Sequence, residues 1–175
     1  MEIKKIVLTG PACTGKSTLA KELADFFDTP YVEEYAREYI LSLNRIYTYE
    51  DVEMTAHRQL EMINEAEVLA IEAGKEYFFI DTGLLIILVW FEVVFNKVPD
   101  WIIEKLRKAD NYIYLLCEPD LEWVPDPARE YGPEKQAKLF QRYEEILQAY
   151  NLKYFIINGK GIKRLESAVK AVKSL

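Results

Sequence analysis

Gly10–Ser17 reads G-P-A-C-T-G-K-S, and residues of these types at this spacing can hold the phosphates of ATP or GTP. Glycines at both ends let a loop curl until its backbone N–H groups point at a phosphate. A helix that starts at the loop offers its positive end to the same anion. Lys16 supplies a point charge to the β- and γ-phosphates, and Ser17 offers a hydroxyl to Mg²⁺. Pro11, Ala12, Cys13, Thr14 and Thr18 complete the candidate cradle. With glycine at about 7% of residues, a chain of this length meets the pattern by accident roughly once in 200 cases. The flanking sequence agrees independently, with a strand-like run before the loop and a helix-like run after it.

Other residues are placed to act on what the loop holds. Asp81 closes the apolar run Tyr77–Ile80. It reads either as a Mg²⁺ carboxylate at a strand end or as the N-cap of the next helix. Glu33-Glu34-Tyr35-Ala36-Arg37 follows a short strand. A carboxylate such as Glu34 can orient or deprotonate an acceptor hydroxyl, and Arg37 can pair with a phosphate. The same acids also suit the start of a solvated helix. Arg129, in a proline-rich stretch over 118–133, reads as a lid arginine for a transferring phosphoryl group or as a surface arginine. Trp123, in the same stretch, either stacks on a base or anchors its loop. His57 falls inside a helical pattern and reads as structural. Cys13 reads as loop filling, although a helix N-terminus can activate a thiol.

The elements that must position these residues alternate. Strands are expected at Ile3–Thr9, Tyr31–Glu33, Tyr77–Ile80, Tyr112–Cys117 and Tyr154–Ile157. Helices are expected over Lys16–Phe27, from Tyr35, from a Thr48/Asp51 capping box to Gly74, over Leu84–Phe95, from Pro99 to Lys108, over Glu134–Tyr150, and from Ile162. The pattern predicts a three-layer α/β P-loop fold, with a mainly parallel five-stranded sheet. One domain over residues 1–175 is expected, with a lid region at about 118–134. The net charge of −7 argues against a general nucleic-acid binder, which is ordinarily basic. Two cysteines fit free thiols in a reducing compartment. The longest apolar run, Leu84–Phe91, is well short of the ~20 residues that span a bilayer. The start of the chain does not read as a signal peptide. The expectation is a cytoplasmic protein with no membrane partner and no nucleic-acid partner.

Together these pieces resemble one family, the nicotinamide-riboside kinase domain of the bifunctional bacterial NAD-biosynthesis regulator and its stand-alone relatives. The resemblance runs nearly end to end. It rests on G-P-x-x-T-G-K-S-T-L-A (10–20), E-Y-A-R-E-Y (34–39), Gln59, D-T (81–82) with V-W (89–90), D-L-x-W-V-P-D-P-x-R-E (120–130), Phe140, Gly159 and Arg164. It implies a nucleoside-kinase-like fold and transfer of the ATP γ-phosphate to the 5′-hydroxyl of nicotinamide riboside, with Mg²⁺. It implies Tyr35, Arg37 and Trp123 at the acceptor side and Arg129 in the lid. With the reading of the residues above, the expected catalytic set is Lys16, Glu34, Asp81 and Arg129, and the expected substrate side is Glu33, Tyr35, Arg37, Trp123 and Asp126. The sequence departs from the family pattern at several places. Ala12 and Cys13 stand for glutamate and serine, Gly83 for an acid, Leu88 for a polar residue, and Lys135 or Gln136 for a second lid arginine. No adenylyltransferase or DNA-binding unit is expected in a chain filled by one α/β domain, so a separate enzyme would complete NAD synthesis. A nucleotide-binding regulatory ATPase is the competing expectation, and a deoxynucleoside or nucleotide kinase is a third.

Overall fold

The computed structural model describes residues 3–125 and 132–175. Five strands run in the order β1 (Lys4–Thr9), β2 (Tyr31–Val32), β3 (Tyr77–Asp81), β4 (Tyr112–Cys117) and β5 (Lys153–Ile157). The helices are α1 (Lys16–Phe27), α2 (Tyr35–Ser42), α3 (Tyr49–Glu72), α4 (Leu84–Trp90), α5 (Asp100–Arg107), α6 (Pro133–Ala149) and α7 (Ile162–Lys173). All pairings are parallel, in the sheet order β2-β3-β1-β4-β5. Parallel strands covered on both faces read as continuous apolar runs, and Ile6, Val7 and Leu8 are all 0% exposed. Ile6, Leu8, Phe79, Leu115 and Ile157 pack toward α1 and α7. Val7, Phe78, Ile80, Tyr114 and Leu116 pack into the larger cluster with α3, α4, α5 and α6. This is the expected three-layer α/β architecture.

Three local features bear on function. The long helix α3 starts at the expected capping box: the Thr48 N–H donates to Asp51 Oδ2 at 2.7 Å, and the Asp51 N–H donates to Thr48 Oγ1 at 3.4 Å. The segment expected as one helix over Leu84–Phe95 is instead α4 followed by a π-helical turn at Phe91–Phe95. A wider i→i+5 turn shifts the side chains that follow it around the axis, and the composition of an apolar run carries no sign of such a shift. Among the described residues, no helix is long and apolar enough to cross a membrane.

Candidate functional site

The chain passes from β3 to β4 across the central β1, so the loops after these strands converge at one end of the sheet, where ligands bind in open α/β sheets. The loop after β1 begins at Gly10, with φ of +127°. A Cβ there would lie 2.8 Å from the Cys117 carbonyl oxygen, so only glycine lets the loop pass over β4. The Thr14 hydroxyl and the Lys16 ammonium both donate to the Pro11 carbonyl, at 2.9 and 2.7 Å. Helix α1 starts at Lys16 with no side-chain cap and no acid in its first turn. Its positive end therefore has no anionic side chain of its own and is suited to a phosphate.

Two acids face this loop. Glu34 is the N-cap residue of α2 but makes no capping hydrogen bond, so the helix start does not consume its carboxylate. Burial raises its pKa, while Lys16 pulls it down, Asp81 raises it and Arg37 lowers it. Gln59, 2% exposed, fixes the backbone around Glu34. It accepts from the Tyr35 N–H and donates to the Glu33 carbonyl, each at 3.0 Å. Asp81 is 3% exposed and is not a cap either, because α4 is capped from Gly83. Burial raises the Asp81 pKa, and the Ser17 hydroxyl and Lys16 favour its charged form. Its Oδ1, with Thr9 Oγ1 and Thr82 Oγ1, has no hydrogen-bond partner among the described residues. Thr82 also sits at φ +66°, uncommon for a β-branched residue. No cluster of three or more His, Cys, Asp or Glu side chains forms among the described residues. A cation beside Ser17 and Asp81 would therefore complete its shell with phosphate and water oxygens, as Mg²⁺ usually does.

One cavity of about 440 Å³ is lined both by the phosphate loop and by side chains of α2, α4 and α6. Gly10, residues 12–18, Glu34, Arg37, Thr82 and Trp123 line it. Ile40, Ile86, Val89, Trp90 and Val93 form an apolar wall, and the Trp90 indole N–H donates to the Tyr47 hydroxyl at 3.0 Å. Not every residue expected at the site reaches it. Glu33 is exposed and accepts from the Tyr31 hydroxyl at 2.7 Å. Tyr35 stacks on Tyr39, with ring centroids 6.1 Å apart. Neither lines the cavity. Asp126 and Arg129 lie outside the described residues. His57 stacks on Trp101 at 4.4 Å, away from the phosphate loop.

The departures from the family pattern find physical reasons. Cys13 Sγ donates to the Glu122 carbonyl at 3.4 Å and accepts from the Val124 N–H at 3.3 Å, so it grips the backbone on both sides of Trp123. The Gln136 amide donates to the Ala12 carbonyl at 2.8 Å, so two of the departing positions contact each other. A Cβ at Gly83 would lie 2.9 Å from Val7 Cγ1, and Leu88 is 2% exposed in the core. Arg164 was legible only as part of the resemblance. It is 5% exposed and donates to Asp120 Oδ1 at 2.6 Å and to the carbonyls of Gly159, Thr14 and Glu118 at 2.7, 2.8 and 2.8 Å. It thus ties the phosphate loop to the ends of β4 and β5.

Comparison with known proteins bears on the family and the fold. The model of a family described as "AAA domain" matches residues 5–164. The trifunctional NAD biosynthesis/regulator protein NadR of Salmonella typhimurium is 24% identical over 157 residues, which is 87% of this chain and 37% of that protein. The chain thus spans well under half the length of that curated relative. A crystal structure of NadR in complex with NR superposes with a TM-score of 0.76 at 24% identity, covering 98% of this chain and 51% of that one. NadR in complex with NAD and AMP-PNP gives 0.72 at 22%, covering 98% and 49%. Deoxyadenosine kinase from M. mycoides, solved with its products, gives 0.61 at 15%, covering 98% and 100%. The fold is that of the P-loop nucleoside kinases.

Proposed function

The chain belongs to the AAA-domain family of P-loop proteins, and from that premise we propose that it transfers the γ-phosphoryl group of ATP to the 5′-hydroxyl of a nucleoside, nicotinamide riboside before others. The observation that carries this reading is the single cavity that holds both the phosphate loop and a half-buried, uncapped carboxylate against an apolar wall. A phosphate site alone would suit a regulatory ATPase. The apolar wall within the same cavity suits a flat base joined to a sugar. Support for the particular acceptor comes from the NadR relative, whose structure was solved with NR. The NadR complex with AMP-PNP supports ATP as donor.

In this mechanism the loop backbone and Lys16 hold the β- and γ-phosphates. Glu34 accepts the hydrogen bond of the acceptor hydroxyl and takes its proton as the oxygen attacks the γ-phosphorus. The bond to the β–γ bridging oxygen breaks, and ADP leaves with that electron pair. Mg²⁺ fits the buried, partnerless Asp81 oxygen together with the Ser17 hydroxyl, and when bound it would neutralise charge on the phosphate oxygens. The apolar wall and Trp123 exclude water, which disfavours hydrolysis over transfer.

The test is a panel of ribonucleosides and deoxyribonucleosides incubated with Mg-ATP, with mononucleotide formation followed. Nicotinamide riboside should give the highest kcat/KM. A deoxynucleoside exceeding it would keep the kinase and reject the acceptor. ATP hydrolysis with no nucleotide product from any nucleoside would reject the kinase.

A further inference from the structure

Helix α6 presents Gln136, Leu139 and Tyr143 to the cavity, a spacing of i, i+3, i+7 that defines one helical face. The first is engaged, because the Gln136 amide is bound to the Ala12 carbonyl. The second is apolar. Tyr143 is different. It is only 5% exposed, its ring belongs to the core cluster, and its hydroxyl makes no hydrogen bond among the described residues. Other tyrosines near the site have partners: Tyr31 has Glu33, Tyr39 has Asp51, and Tyr47 has Trp90. The Tyr143 hydroxyl is not one of the sealed, partnerless polar atoms, so it opens on the cavity. An unpaired hydroxyl on a cavity wall is a donor waiting for a ligand.

Burial keeps the Tyr143 phenol protonated, and among the described residues the Glu34 carboxylate acts in the same direction. The two groups are complementary. An ionised carboxylate can only accept hydrogen bonds, whereas a phenol can donate one. An alcohol needs both partners, since it donates its proton and its oxygen accepts another. We propose that Tyr143 reads the acceptor, its O–H donating to a sugar hydroxyl oxygen that Glu34 engages from the hydrogen side. This rests on the kinase reading above. It assigns α6 a part in choosing a hydroxylated acceptor, beyond its part in walling the cavity.

The test is Tyr143→Phe, which keeps the ring and its packing and removes only the donor. The KM for nicotinamide riboside, and its Kd by calorimetry without ATP, should each rise about tenfold. The KM for ATP should stay within twofold, and the Tm should not fall, because the hydroxyl has no protein partner to lose. If Tyr143→Phe leaves the acceptor KM and Kd unchanged in a chain that phosphorylates nicotinamide riboside, the inference is wrong and the kinase stands. A lower Tm with an unchanged acceptor KM would assign the hydroxyl a structural role and likewise overturn it. If the wild-type chain neither binds nor phosphorylates any nucleoside, both fall together.

Discussion

Burial pushes the carboxyl groups of Glu34 and Asp81 above their ordinary range, while Lys16 pulls both down. In the proposed mechanism Glu34 must be ionised to take the proton of the acceptor. Since burial raises its pKa in the fold, activity should be full at neutral pH and fall as pH drops through that raised value. Glu34→Gln should lose about 100-fold in kcat, the usual scale of a general base, and the acid limb should flatten with it. A limb that persists in Glu34→Gln would assign the proton to another group. Asp81→Asn keeps the shape and loses the charge, so turnover should collapse and its Mg²⁺ requirement should rise. Normal turnover in Asp81→Asn would place the cation elsewhere. The same two variants should not lower Tm at pH 7. An acid whose folded pKa is raised loses stability as pH climbs through that value, so removing the charge relieves a cost. A marked fall in Tm would show that these acids support the fold.

At the scale of elements, Arg164 is the clasp that keeps the phosphate loop in register with β4 and β5. Arg164→Ala leaves Asp120 without its cation and three carbonyls without their donor. Breaking a buried pair costs about 3–5 kcal/mol. Because Asp120 is 31% exposed, the low end applies, about 3 kcal/mol. For a chain of this size that is a fall of roughly 6–12 °C in Tm, readable by calorimetry, with a raised KM for ATP. An unchanged Tm would mean that the clasp is idle. The buried strands, the Thr48 capping box and the phosphate loop were legible in the sequence because each is a local pattern. The clasps were not. Arg164 meets Thr14 across 150 positions, and Gln136 meets Ala12 across 124, contacts that only the completed topology creates. Tyr143 was hidden for the same reason, since on α6 it reads as one more apolar-face aromatic. The π turn at Phe91–Phe95 was hidden because a slipped hydrogen bond leaves no trace in composition.

Across the whole molecule, the sheet order β2-β3-β1-β4-β5 gathers the loops after β1, β2, β3 and β4 around one cavity. The phosphate loop, Glu34, Thr82 and Trp123 come from four different strand ends, so no single segment makes the site. The proposed function uses that convergence, which brings a nucleotide site and an acceptor site to one cavity. The claim on which everything else depends is that the γ-phosphoryl group goes to the nucleoside rather than to water. The direct measurement follows γ-labelled ATP with and without nicotinamide riboside, with Lys16→Ala as the control, and resolves mononucleotide from free phosphate by mass. The account predicts that label accumulates in nicotinamide mononucleotide, one per ADP formed, that little phosphate is released without the riboside, and that Lys16→Ala forms neither product. Label that appears only as free phosphate, at a rate indifferent to the riboside, would contradict it.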